Sequence, residues 1–348
     1  MNENILLLKN LVIEYELKRY SIRAIDDVTM AFKRGSITAI VGESGSGKTT
    51  LASAILEVIS SPGRIVSGDV IYFQDTKSKN FESDENDAGF ATKINTLKPK
   101  QLNHYRWQEC SMVFQGAQSS LNPVMTIFDQ FSETMMVHAN SETKHSELKE
   151  RVLRRAKEVL EIVNLDVERI MPMYPHELSG GMKQRVMIAF SLLLNPKIII
   201  LDEPTTALDV ITQDSIFRVL KKINREMGVT MILLTHDMGV VAKFADYVGV
   251  MYAGKLVEYA DTRSVFAKRL HPYTNGLISA TPSIIADNSA LKPIEGTPPD
   301  LMALPSGCPF HPRCPKAFEQ CPLLKPKLID LDGHLVSCHL YHKEDLKA

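Results

Sequence analysis

Short runs of apolar, β-branched residues alternate along this chain with longer stretches whose apolar positions recur every three to four residues. That alternation predicts an α/β fold built on a largely parallel sheet. Ile37–Val41 is a compact strand that ends on a glycine-rich turn, and Leu51–Ile59 then spaces its apolar residues as a helix does. Ile198–Leu201 and Thr230–Thr235 read as further strands. Between the early and late strands, Leu148, Val152, Ala156, Val159 and Val163 mark one face of a helix. The polar stretch from Asp75 to about Lys100 holds few apolar residues and reads as a mobile surface insertion. After about Asp261 the alternation ends and prolines accumulate, which sets a domain boundary.

Composition narrows the function classes. The chain has 348 residues, enough for a large domain and a smaller one, and 44% of them are hydrophobic. Lys+Arg 40 against Asp+Glu 41 leaves no positive excess, so a nucleic-acid partner is not expected. No apolar run approaches the roughly 18 residues of a membrane span. The opening MNENILLLKN lacks the marks of a secretory signal, so a cytosolic setting is expected.

The chemistry-bearing motifs follow in order. Gly42-Glu43-Ser44-Gly45-Ser46-Gly47-Lys48-Thr49 matches G-x-x-x-x-G-K-[ST], and Thr50 continues it. Its glycines let successive N–H groups point at phosphate oxygens while the following helix adds its positive end. Lys48 suits the β- and γ-phosphates and the Thr49 hydroxyl suits Mg²⁺. Ile198–Leu201 runs into Asp202-Glu203. Asp202 can hold Mg²⁺ through water, and Glu203 can take the proton of an attacking water as a general base. Ser179-Gly180-Gly181 opens another helix and makes a second anion site.

Leu178-Ser179-Gly180-Gly181-Met182-Lys183-Gln184 resembles the signature of ATP-binding cassette (ABC) ATPases. The resemblance implies an ABC-type nucleotide-binding domain with a RecA-like core, an antiparallel β subdomain and a helical subdomain near 116–180. It implies two ATP molecules held in a head-to-tail dimer, with Ser179, Gly180 and Gly181 closing over the opposite subunit's ATP. Gln115 then matches the residue that senses Mg²⁺ and water, and His236 the one that contacts the γ-phosphate. Ala207-Leu208-Asp209 matches the loop that joins the two sites, and Tyr15 the aromatic that stacks on adenine, with Tyr20 a weaker match.

Outside these motifs, "SSLNPVMTI" (119–127), "YPHELSGGMKQRVMIA" (174–189), "HPYT" (271–274) and "LPSGCPFHPRC" (304–314) resemble the dipeptide/oligopeptide importer ATPases. That implies a nucleotide-binding domain over 1–262 and an oligopeptide-transporter-type extension over 263–348. It also implies a related second ATPase subunit in a heterodimer, two transmembrane permeases, an extracytoplasmic solute-binding protein, and a peripheral place at the cytoplasmic face of the membrane. Part of the segment 115–136, with Leu121, Val124, Ile127, Phe128 and Phe131, is expected to receive a short permease helix. Gly116-Ala117 departs from the family's usual Asp-Pro. The same family also moves nickel or oligosaccharides. Readings from other classes are a soluble ABC ATPase acting on nucleic acid or ribosomes, and a redox sensor centred on the cysteine tail.

Of Cys 5 in the chain, Cys308, Cys314, Cys321 and Cys338 lie in the last 41 residues, at C-x5-C-x6-C-x16-C spacing. Four thiolates suit tetrahedral Zn²⁺ or a four-iron, four-sulfur (4Fe–4S) cluster, and disulfides are disfavoured in a reducing compartment. The importer resemblance favours the 4Fe–4S cluster, with His311, His334 and His339 read as solvent-facing or supporting and Cys110 as a core residue.

Overall fold

The computed structural model describes residues 3–74, 91–116, 119–138, 145–206, 208–281 and 293–342, with side chains left out at 145–148. Residues 75–90 of the polar insertion, Ala117, the Leu148 side chain, Ala207 and Pro282 lie outside the described residues. The chain divides into two compact units, 1–97 with 233–348, and 98–232.

The first unit begins with an antiparallel sheet. Strands β1 (Asn4–Leu17) and β2 (Tyr20–Lys33) form a hairpin, and the sheet order is β2-β1-β4-β5, with β4 (Gly63–Phe73) and β5 (Ala91–Lys93). Between them come β3 (Ile37–Val41) and α1 (Lys48–Ile55). Every residue of β3 is buried, Thr38 included, which is why the strand carries no charged position. The expected helix over 51–59 begins and ends earlier, because Leu56 caps it and Glu57 turns into the left-handed region at φ 53. The second part of the polar insertion is also structured, since residues 91–93 pair with β4.

The second unit opens with α2 (Pro99–Gln108) and β6 (Cys110–Val113). It continues through α3 (Ile127–Val137), α4 (His145–Ile162), α5 (Val167–Ile170) and α6 (Gly180–Leu192). Along α4, Val152, Ala156 and Val159 are buried, as their spacing predicts. The buried strand β7 (Ile198–Asp202) pairs in parallel with β6. α7 (Val210–Met227) is capped by Asp209 and stops at Gly228, whose left-handed φ of 65 suits glycine. β8 (Thr230–Thr235), all six residues buried, carries the chain back to the first unit.

There, α8 (Met238–Phe244) leads to β9 (Tyr247–Tyr252), which pairs in parallel with β3, and to β10 (Lys255–Asp261), antiparallel to β9. The tail adds α9 (Thr262–Lys268), α10 (Pro272–Ser279), β11 (Ile329–Leu331) and β12 (His334–Val336). β12 pairs with β10 and β11 with β12, so the cysteine-bearing segment extends the β9–β10 ladder. The proline-rich tail is not poor in core. Tyr273 and Phe310 are buried with Val41, Val248, Val250 and Val257 in one apolar cluster.

Candidate functional site

The turn between β3 and α1 has the backbone of a phosphate cradle. Gly47 sits at φ 100, and a Cβ there would stand 2.7 Å from the Ala24 carbonyl, so only glycine fits. The loop is held from beneath: Gly254 N–H donates to the Ser46 carbonyl, and Asp26 N–H to the Gly254 carbonyl. Lys48 Nζ lies over the loop, donating to the carbonyls of Gly42 at 2.7 Å and Glu43 at 3.0 Å. Ser44, Gly45 and Thr49 are exposed on the loop and first helical turn, with Thr50 half-buried. Ser46 Oγ is buried and has no hydrogen-bond partner among the described residues. An orphan buried hydroxyl, a lysine and a glycine-shaped turn at a helix start fit a phosphate chain.

Tyr15 lies on β1 opposite Ile22 of β2 and Gly63 of β4. Its ring packs so closely on Gly63 that a Cβ there would sit 2.7 Å from Cε1. Tyr20 is half exposed at the hairpin end. A cavity of about 340 Å³ adjoins the phosphate loop, lined by Ile22, Glu43–Ser46, Tyr252, Ala253 and residues 298–302. His236 is exposed immediately after β8, and Asp237 behind it caps α8 through the N–H groups of Gly239 and Val240.

In the second unit the carboxylates end β7. Asp202 is 2% exposed. Glu203 adopts a left-handed backbone at φ 45, a conformation that costs energy in a non-glycine residue and concentrates at functional positions. Its Oε2 accepts from Gln115 Nε2 at 3.1 Å and from Thr206 Oγ1 at 3.0 Å. Gln115 and Glu203, 88 positions apart, are thus brought together. Thr206 was not legible as a site residue; its one signal is a hydroxyl three positions after the acid.

Ser179 caps α6, its side chain accepting from Met182 N–H, and Gly180 and Gly181 form the first turn. A Cβ on Gly181 would stand 2.8 Å from the Thr212 methyl. Thr212 is also the residue that Asp209 caps, through N–H at 2.9 Å and hydroxyl at 2.7 Å. The Thr212 hydroxyl and backbone bonds hold the Asp209 carboxyl below its ordinary pKa. The signature turn and the loop carrying Asp209 therefore meet at one threonine.

In the tail, all four cysteines are free of disulfides, with Cys321 buried and the others half-buried. Cys308 N–H donates to the Cys321 carbonyl at 2.8 Å, and Cys314 N–H to the His311 carbonyl. Burial, with the neighbouring cysteines adding, raises the Cys308 thiol to about 11 and Cys338 to about 12. These are four soft donors in one lobe, although no group of three or more His, Cys, Asp or Glu among the described residues stands at metal-gripping spacing. His334 and His339 are not solvent-facing. His334 is 2% exposed with Nε2 at 2.7 Å from Glu258, and His339 Nε2 meets the Leu324 carbonyl. Cys110 is buried, as expected, and burial pushes its thiol up to about 12.

Two further residues reach the phosphate loop without having been legible as functional. Arg313 pairs with the Glu43 carboxylate, and Tyr273 Oη accepts the Glu43 N–H at 2.9 Å. Both lie in the stretches "HPYT" and "HPRC", which carry resemblance but no chemistry of their own in the sequence.

Residues 25–206 match the family described as "ABC transporter", and residues 257–321 the family described as "Oligopeptide/dipeptide transporter, C-terminal region". The dipeptide transport ATP-binding protein of Caldanaerobacter subterraneus is 44% identical over 330 residues, 94% of each chain. The oligopeptide transport ATP-binding proteins of Bacillus subtilis and Escherichia coli are 40% identical over 342 residues and 38% over 335. The first alignment covers 98% of each chain; the second covers 96% of this chain and 92% of the relative. Among solved structures, a dimeric ATP-binding cassette in a post-hydrolysis state with ADP and Pi superposes with a TM-score of 0.58 at 30% identity. It covers 74% of this chain and 99% of that one. An ABC transporter component from Clostridium perfringens gives 0.60 at 26% identity, covering 77% and 92%.

Proposed function

The chain belongs to the ABC transporter family, and from that membership we propose how its residues power peptide uptake. It is an ATPase of the importer branch, hydrolysing ATP to drive transport of dipeptides or oligopeptides through separate membrane subunits. The Gly42–Thr50 loop, with Lys48, takes the phosphates, Thr49 and Asp202 take Mg²⁺, and Tyr15 stacks on adenine. Gln115 and His236 address the γ-phosphate, and Glu203 accepts the proton of the attacking water. Ser179, Gly180, Gly181 and Asp209 serve the ATP of an opposing ATPase subunit. Since one chain carries one loop and one signature, a closed site requires two subunits, and the γ-phosphate favours that closed pair until hydrolysis releases it.

The partners follow from the same reading. No helix among the described residues is long and apolar enough to cross a membrane. We assign 1–262 to the nucleotide-binding domain and 263–348 to the extension, paired with a related ATPase and docked on two permeases at the cytoplasmic face of the membrane. A solute-binding protein on the far side delivers the peptide. Leu121, Ile127 and Phe131 are buried within the second unit, whereas Val124 is 78% exposed and available to a permease helix. The four tail cysteines take a 4Fe–4S cluster, with Zn²⁺ the alternative. The donor set supports this, and the cluster's role is to tie the tail loops together.

The observation that carries the catalytic assignment is the Glu203 carboxylate, fixed by Gln115 and Thr206 at the end of a buried strand. Glu203→Gln should leave ATP binding intact and lower hydrolysis and peptide uptake by roughly 10²–10⁴-fold, the usual cost of losing a general base. Full turnover by the assembled transporter carrying this variant would remove Glu203 from the role.

A further inference from the structure

Phosphate binding uses the inward N–H groups of the Gly42–Thr49 loop and leaves the grip on Glu43 unexplained. Arg313 Nη1 donates to Glu43 Oε2 at 2.7 Å and Nη2 to Oε1 at 3.0 Å, a two-pronged pair that fixes the plane of both groups. The Arg313 side chain is 6% exposed and that of Glu43 26%. The guanidinium is held on its other sides too: Nε donates to the Glu295 carbonyl at 2.9 Å, and Nη1 also reaches Tyr252 Oη at 3.3 Å. At the same loop residue, the backbone N–H donates to Tyr273 Oη. Tyr273 is itself wedged, its ring 4.6 Å from that of Tyr252 and 5.3 Å from Phe310. Glu43 is therefore gripped by backbone and by carboxylate, from two separate turns of the tail.

A surface ion pair of this kind would carry little meaning. This one is mostly buried, its arginine is locked by a carbonyl and a tyrosine, and its carboxylate belongs to a loop whose function depends on backbone direction. The loop conformation that turns its glycine amides toward a phosphate while the Glu43 N–H is held by Tyr273 is one of several open to a glycine-rich turn. Anything that lowers the population of that conformation raises the apparent dissociation constant in proportion.

We propose that Arg313 and Tyr273 are positioning residues for the phosphate loop, so that the C-terminal extension sets the affinity for ATP. Both act through Glu43. The turn that presents Arg313 is closed by Arg313 N–H on the Phe310 carbonyl and His311 N–H on the Cys308 carbonyl. The order of the cysteine lobe is in this way passed to the nucleotide loop. This inference rests on the reading of the loop as the ATP site.

The test is titration of the full-length chain with Mg²⁺ and a slowly hydrolysed ATP analogue, together with steady-state ATPase kinetics of the assembled transporter. Arg313→Ala should weaken binding about tenfold, as a loop that is correctly shaped a tenth of the time would. The loss should fall on KM with kcat retained, and Arg313→Lys, which keeps charge without the fork, should recover part of it. Tyr273→Phe keeps the ring packing and removes only the acceptor, so it reports on positioning even where Arg313→Ala fails to fold; it should weaken binding by about two- to threefold. Glu43→Gln combined with Arg313→Ala should be no worse than Arg313→Ala alone. Lys48→Ala separates the two levels of the reasoning. Wild-type ATP binding by Lys48→Ala would bring down the loop reading itself. Loss of binding in Lys48→Ala, with wild-type affinity in both Arg313→Lys and Tyr273→Phe, would overturn only the role of the tail.

Discussion

His271 is a histidine placed where it must stay neutral. It is 1% exposed, and its Nδ1 accepts the Tyr273 N–H at 3.0 Å, capping α10. Burial lowers its pKa from 6.5 to about 4, with the Glu258 carboxylate offsetting part of that effect. Glu258 Oε2 accepts the His271 backbone N–H at 2.8 Å and its Oε1 faces His334, while Phe310 packs on the His271 ring. Protonation would put a proton on the nitrogen that now accepts, and with it a charge in an apolar wall. The sign follows from proton counting. Between pH 6.5 and 4 the unfolded chain holds a proton on His271 that the folded chain does not, so stability falls as pH is lowered through that window. Above it the contribution is constant, and below it both states are protonated. At about 1.36 kcal/mol per pKa unit, the group should cost the fold roughly 2 kcal/mol between pH 7 and pH 5, and about 3 kcal/mol by pH 4. His271→Asn isolates this term, because the carboxamide oxygen can cap Tyr273 N–H but does not titrate. Urea unfolding of both proteins at pH 7 and 5, followed by tryptophan-independent circular dichroism, gives the difference of differences. The wild type should lose roughly 2 kcal/mol more than His271→Asn, whatever constant offset the lost ring packing introduces. Equal acid sensitivity in the two proteins would refute the assignment of the buried, neutral histidine.

The other predictions concern the tail and its anchor. Asp26 is opposed by burial, which raises its pKa, but Lys255 and Lys325 outweigh that and hold it at about 2. Asp26→Asn removes the negative charge that Lys255 meets at 3.1 Å and the tail's Lys325 at 3.2 Å. It should cost about 1–3 kcal/mol, and hydrogen exchange should show the segment around Lys325 loosened; unchanged protection there would refute the tether. For the cysteines, anaerobically purified protein should contain about four irons per chain and absorb broadly near 400 nm. Cys314→Ser should lose both, whereas one zinc per chain would replace the cluster by a zinc site and metal-free protein would exclude both.

The parts of this fold that were legible in the sequence are those set by local rules. β7 reads as a continuous apolar run over Ile198–Leu201, and β3 and β8 as short runs broken only by threonines, because each strand is buried along its whole length. The phosphate loop was legible because glycine is required where φ is 100 and a carbonyl stands 2.7 Å from the would-be Cβ at Gly47. Ser179 announced a helix start because its side chain supplies an acceptor that the backbone lacks at an N-cap; Asp209, read only as part of a loop, caps α7 in the same way. What was not legible depends on contacts between distant segments. Nothing near Gln115 says that its amide will meet Glu203, 88 positions on. His334 looks like any polar residue of a cysteine-rich tail until β12 is laid beside β10, where Glu258 waits in the interior. Arg313 differs from other arginines only in being folded back, 270 positions along the chain, onto Glu43. Periodicity reports which face of an element is buried, and motif spacing reports what a turn must do, but neither carries the identity of a partner. That identity is fixed by tertiary packing, which lays β12 beside β10 and sets the Tyr273 hydroxyl and the Arg313 guanidinium on Glu43. The extension should therefore behave as part of the ATP-binding apparatus rather than as an appendage to it.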